Sequence, residues 1–189
     1  MRFLAFFLIW AQTLLLSSCT AGIVGEISSL SYELFTSSQQ YSSGVFGSIA
    51  SMDTQCQTLA NGAGLKLRYR ALADASGARV EDRFDLSFPV FVRIQGQGAT
   101  LFATNLGAAL RGDETIAFTP RYDETGSFIS GGFANVATGL TTSGVSGANC
   151  SDWTASTTMG VGTISNVTDW AWGGLILCAN TVRIYCLGD

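Results

Sequence analysis

The sequence predicts an α+β domain built of short strands, one main helix and long loops. Three observations point to it. The apolar runs are short and are separated by many of the 22 glycines, with only 2 prolines in the chain, the pattern of a loop-rich fold with several short strands. A single stretch, residues 48–63, carries apolar residues at the three-and-four spacing of an amphipathic helix. Four cysteines, Cys56, Cys150, Cys178 and Cys186, form an even set spread through the domain. A length of 189 residues suggests one domain, and 12 Phe, 5 Tyr and 4 Trp supply a sizeable core.

The elements follow in order. "SYELFTS" (31–37) alternates as a first strand. Ser48 caps a helix that puts Ile49, Met52, Cys56, Leu59 and Ala63 on one face, so Cys56 faces inward; Gly62 and Gly64 stop it. "KLRYRALA" (66–73) reads as a half-buried strand, with Leu67, Tyr69, Ala71 and Ala73 inside and Lys66, Arg68 and Arg70 on a solvated face. "DASGARVEDRF" is a turn with a short helix. "FPVFVRI" and "ATLFAT" are strand-like. "PRYDETGSFISGGF" is a glycine-rich loop or hairpin. From Thr138 to Cys150 the chain is mostly Thr, Ser and Gly. "LILCANTVRIYCLGD" reads as two short strands around a tight turn.

Composition excludes several functions. Histidine is absent, which removes Ser-His-Asp triads, Cys-His dyads, histidine-based zinc sites and histidine-ligated haem. Lys66 is the single lysine, and the nine arginines are scattered, so no basic run neutralises a row of phosphates and no nucleic acid partner is expected. No cofactor and no metal site is expected either, because the cysteines lack Cys-x-x-Cys spacing and the acids do not cluster convincingly. Fourteen acidic residues leave a carboxylate-pair glycosidase as the enzyme alternative, but no motif singles out two of them.

Residues 1–18 read as a secretory signal peptide: Arg2, then an apolar run from Phe3 to Leu16, then Ser17 and Ser18. The run is too short for a stable membrane span. Leu16-Ser17-Ser18-Cys19 resembles a bacterial lipobox, which implies lipidation at Cys19 and a membrane partner reached through several acyl chains, which anchor firmly where one does not. Thr20, in place of Asp, favours the outer membrane by analogy with bacterial sorting rules. Residues 19–30 then form a lipidated cysteine and tether. Eleven extended residues reach at most ~40 Å, so the domain of residues 31–189 is expected at the membrane surface.

Several segments together resemble a bacterial extracytoplasmic domain of uncharacterised function, related in fold to endostatin and the C-type lectins. Phe35-Thr36-Ser37 matches its first strand, Asp53 and Cys56 its helix entry, and Tyr69 to Asp74 its next strand. "CSDWTAS" (150–156) matches its Cys-Trp signature, Trp170 or Trp172 its late tryptophan, and Cys178 with Ile184-Tyr185-Cys186 its close. The likeness covers roughly residues 31–187; residues 75–145 depart most, with Phe133 where a tryptophan is expected.

The resemblance implies a C-type-lectin-like, endostatin-like fold with bridges Cys56–Cys186 and Cys150–Cys178. Loop entropy does not choose among the three possible pairings, since the candidate loops give about 2.6 to 5 kcal/mol and are nested. Disulfides fit an exported chain. The same likeness makes the Cys150–Cys178 loop the recognition surface, with Trp170, Trp172 and Trp153 as candidate ligand-binding residues; Trp153 also reads as packing against the bridge. On a strand, Trp170 and Trp172 would share a face. The calcium-dependent sugar site of true C-type lectins is not expected, because neither Pro89 nor Pro120 carries its flanking pair. The expected function is therefore a non-catalytic recognition domain on a lipid anchor at the bacterial surface, binding an extracellular protein or a glycan, adhesin-like. A structural envelope lipoprotein is the alternative.

Overall fold

The computed structural model describes residues 30–42, 44, 46–131, 134–141, 148–154 and 157–189. Cys19, the export segment and all but the last residue of the tether lie outside the described residues, as does Phe133.

Among the described residues nine strands and four short or medium helices follow one another: β1 (Tyr32–Thr36), β2 (Tyr41–Ser42), α1 (Ile49–Gly62), β3 (Tyr69–Ala71), α2 (Val80–Arg83), β4 (Val90–Ile94), β5 (Gly98–Ala103), α3 (Leu106–Arg111), β6 (Asn135–Ala137), α4 (Cys150–Trp153), β7 (Thr158–Thr163), β8 (Gly174–Leu177) and β9 (Thr181–Gly188). The strands form one mixed sheet in the order β5-β4-β1-β9-β6-β7-β8, with β2 and β3 also pairing with β9. The α+β class with one main helix and two disulfides is thus present.

The central strand is β9. It runs antiparallel to β1 and β3 along its C-terminal half and parallel to β6 further back. Its side chains alternate between two cores. Tyr185 and Leu187 join Tyr32, Leu34, Val90, Val92, Phe102 and Trp170 on one side. Val182, Ile184 and Cys186 join Phe35, Met52, Ala71, Trp153 and Met159 on the other. This double burial explains why all five residues of β1 are buried: the alternation in the sequence separates two cores, not core from solvent.

The helix starts as expected. The Ser48 side chain accepts from the Ser51 N–H at 3.2 Å, which satisfies one of the orphan first-turn donors. Met52, Cys56 and Ala60 form its buried line, with Ile49 and Leu59 packed alongside. Ala63 is the C-cap, not a core residue. Cys56 is bridged to Cys186, which clamps α1 to β9 over a separation of 130 residues.

Two readings need correction. The strand expected over 66–73 shortens to Tyr69–Ala71, and Arg70 is not on a solvated face. Its guanidinium lies 4.5 Å from the Phe84 ring centroid and bonds Asp189 at 2.8 Å, because β9 brings the C-terminal residue alongside β3. The two strands expected around a tight turn near the end are present as β8 and β9; β8 pairs with β7, while β9 crosses the middle of the sheet. Residues 121–129 do form a hairpin-like turn, with Tyr122 bridged to Phe128.

Candidate functional site: the Cys150–Cys178 loop

The segment between Cys150 and Cys178 begins in an unusual conformation. Cys150, Ser151, Asp152 and Trp153 have φ of 56, 50, 61 and 67°, so α4 is a left-handed turn made of four residues with side chains. Such a conformation costs about 1–2 kcal/mol per residue and persists only where surrounding contacts impose it. Those contacts are visible. Asn149 accepts from the Asp152 N–H at 3.1 Å, Asp152 accepts from the Ser76 N–H at 2.6 Å, and the Trp153 carbonyl accepts from the Gly47 N–H at 2.9 Å. Cys150 is bridged to Cys178, and both are buried.

Trp153 is fully buried, edge-on to Phe46 with ring centroids 6.3 Å apart. Trp170 is buried in the opposite core. Its indole N–H donates to the Ala109 carbonyl at 3.2 Å, and its ring lies 5.0 Å from Phe102 and 5.6 Å from Tyr185. Both tryptophans are therefore corrected from ligand contacts to core residues. Trp172 alone of the three remains partly exposed. Residues 170–173 form a bend ahead of β8, not a strand, so the two-residue spacing does not put Trp170 and Trp172 on one face.

Two glycines on β7 admit close backbone neighbours: Gly162 lets this bend lie against the sheet, and Gly160 does the same for the chain at Leu140. A Cβ on Gly162 would come within 1.7 Å of the Trp170 carbonyl oxygen, and one on Gly160 within 1.9 Å of the Leu140 carbonyl oxygen. Only glycine admits such backbone approach. The turn above is self-bonded: Asn166 accepts from the Thr168 N–H at 2.8 Å and donates to Asp169 at 2.9 Å, leaving Asn166, Val167 and Thr168 exposed.

Leu175 and Leu177 on β8 are 56% and 59% exposed. Neither stood out in the sequence, although the alternation in "GLIL" could have marked them: Ile176 packs on the core while its neighbours point outward. A shallow polar cleft of about 350 Å³, lined by Gln40, Ala134, Asn135, Asn180 and Thr181, lies across the start of β9.

Among the described residues no group of three acids or cysteines could hold a metal ion, and no helix is long and apolar enough to cross a membrane. Asp85 and Glu114 are each held below the ordinary carboxyl range. The Ser87 hydroxyl and amide hold Asp85 down. Partial burial pushes Glu114 up but is outweighed by donation from Thr104 and Asn105. A general acid working near neutrality needs the opposite displacement. Elsewhere Glu33, buried on β1, accepts from the Tyr69 hydroxyl at 2.7 Å and from Arg93 at 2.7 and 3.1 Å, a closed arrangement that joins β1, β3 and β4.

No family model matches the chain, and no curated protein matches its sequence.

Proposed function

We propose that this chain is a lipid-anchored recognition protein: exported, held by an acylated Cys19 at the bacterial outer membrane, and binding an extracellular protein or glycan without catalysis. The C-type-lectin-like topology suggested by its cysteine and tryptophan signatures belongs to the same proposal. The observation that carries it is Trp172. It is partly exposed in a bend whose neighbour Trp170 is locked in the core and whose segment is closed by the Cys150–Cys178 bridge. A partly exposed aromatic in the same bridged segment as exposed Asn166 and Thr168 supplies an anchor and adaptable hydrogen bonding, the chemistry of many binding surfaces. Its tethering reduces the ordering entropy lost on binding. Two buried disulfides support an oxidising compartment.

The full chain is screened on an array of matrix proteins and glycans, and the hit is remeasured with Trp172→Ala. Weakening by about 1–4 kcal/mol is expected, the hot-spot range. Unchanged affinity in a variant that melts like wild type would place the contact elsewhere. Labelled palmitate should enter the wild type and not Cys19→Ala; equal labelling rejects the anchor.

A further inference from the structure

The β8 edge has its own chemistry, independent of anchoring and of ligand recognition. The Cys178 N–H donates to the Thr157 carbonyl at 2.9 Å, and the register pairs Thr158 with Leu177, Met159 with Ile176 and Gly160 with Leu175. An antiparallel ladder alternates bonded and non-bonded pairs. Residues 174, 176 and 178 therefore bond toward β7, and Leu175 and Leu177 turn their N–H and C=O groups to the open side. The Leu177 carbonyl accepts from the Asn180 N–H at 3.0 Å in the following turn. Among the described residues β8 pairs only with β7 and ends the sheet, so no strand meets the two groups of Leu175 or the N–H of Leu177.

Edges of this kind are normally blunted by charge, proline or a bulge. Charge and proline are absent along β8, and among the described residues the only irregularity lies at its start, where Gly173 and Gly174 both face Val161. No charged residue and no proline occurs from Trp170 to Val182, and the β7–β8 register is unbroken from Leu175 to Leu177. The opposite edge differs, since β4 and β5 shift register between Val90 and Phe91.

We propose that β8 is a self-association edge, to which β8 of a second copy of this chain adds antiparallel about a two-fold axis at Ile176. Three features favour a second copy as the occupant. Leu175 and Leu177, the residues whose backbone groups face the open side, are symmetric about Ile176, so the free Leu177 N–H of one copy donates to the free Leu175 carbonyl of the other and the reverse, as an isologous interface requires. That register places Leu175 opposite Leu177 twice on the outer face, which gathers four exposed leucines and removes them from water. A chain of net charge −4 repels its copies, and a thirteen-residue uncharged stretch is where two copies approach without opposing like charges. A ladder of four residues per chain is smaller than the ~1,200 Å² at which stable interfaces begin, so the dimer forms where copies are concentrated and dissociates on dilution.

A photo-crosslinking residue is placed at Leu177 in the full chain expressed in a bacterial host. Irradiated cells should yield a species of twice the chain mass that contains only this protein. Leu175→Lys should abolish it, because the two-fold axis brings each added cation against the crosslinking position of the other copy. Peptide mapping of that variant should still show the Cys150–Cys178 bridge; its loss would move the comparison to Leu175→Ser, which should also abolish the species. A crosslinker at Thr58, on the exposed face of α1, should give none. No doubled species, a species containing a different protein, or an equal yield from Thr58 would each overturn the proposal.

Discussion

The Trp153 indole N–H donates to the Asp74 main-chain carbonyl at 3.1 Å, across 79 residues of sequence. This bond joins the left-handed turn at Cys150 to the chain leaving β3. It explains why the tryptophan three residues after the cysteine faces inward: a right-handed turn would send it elsewhere, and the buried indole and its bond help to offset the strain of four positive φ angles.

Trp153→Phe removes that donor and leaves a void beside Phe46. The expected loss is about 2–4 kcal/mol, combining a cavity with a lost buried hydrogen bond, read as a fall in the denaturant midpoint with an unchanged slope. A loss below ~0.5 kcal/mol would mean that the turn is held without the indole.

Gly162→Ala places a methyl group within 1.7 Å of the Trp170 carbonyl oxygen. The backbone there cannot yield without lifting Trp170 from its core. Destabilisation above ~3 kcal/mol is expected. Gly62→Ala, with open space around it, is the control and should lie within about 1 kcal/mol of wild type. Thermal melting of the two variants decides between them.

Arg93 and Arg111 separate two kinds of ion pair. Removing Arg93 strands the buried Glu33 carboxylate, whereas Arg111 meets Asp113 where both side chains are more than half exposed. Arg93→Ala should cost about 2–3 kcal/mol, less than a fully buried pair because Arg93 is itself partly solvated, and Arg111→Ala no more than ~1 kcal/mol. Chemical denaturation of both variants tests the order.

Alkaline pH acts through the tyrosines. Burial, then the neighbouring Glu33 charge, pushes the Tyr69 phenol far up, and burial does the same to Tyr185. The fold thus favours the neutral phenol, while the unfolded chain loses its proton near the ordinary pKa of about 10. Stability from these groups is complete below that value and declines as pH rises above it. Ultraviolet titration should show both phenols ionising only together with unfolding, and Tyr69→Phe should flatten the alkaline decline.

Much of the local structure was legible in the sequence. The three-and-four spacing from Ile49 to Leu59, the Ser48 cap and the glycine stop marked α1 and turned Cys56 inward. These signals involve neighbours within a turn or two, so they are written in consecutive residues. The even cysteine count indicated two bridges but allowed three pairings; the pairing implied by the family resemblance is the one the structure contains.

Only the tertiary structure decided which tryptophan meets solvent and which strand ends the sheet. Trp170 and Trp172 differ by two positions, yet Ala109, Phe102 and Tyr185 close over one and not the other. Arg70 looked solvated until β9 set Asp189 beside it. The left-handed turn at Cys150 carries no glycine to announce it, because its conformation is imposed by Gly47, Ser76, Asp74 and Cys178. Sequence by itself determined the periodic elements and the residue types available for chemistry. Burial, edge position and imposed strain arise from contacts between residues far apart in the chain, and the order in which strands meet is set by the free energy of the whole packed sheet, not by any local run of residues.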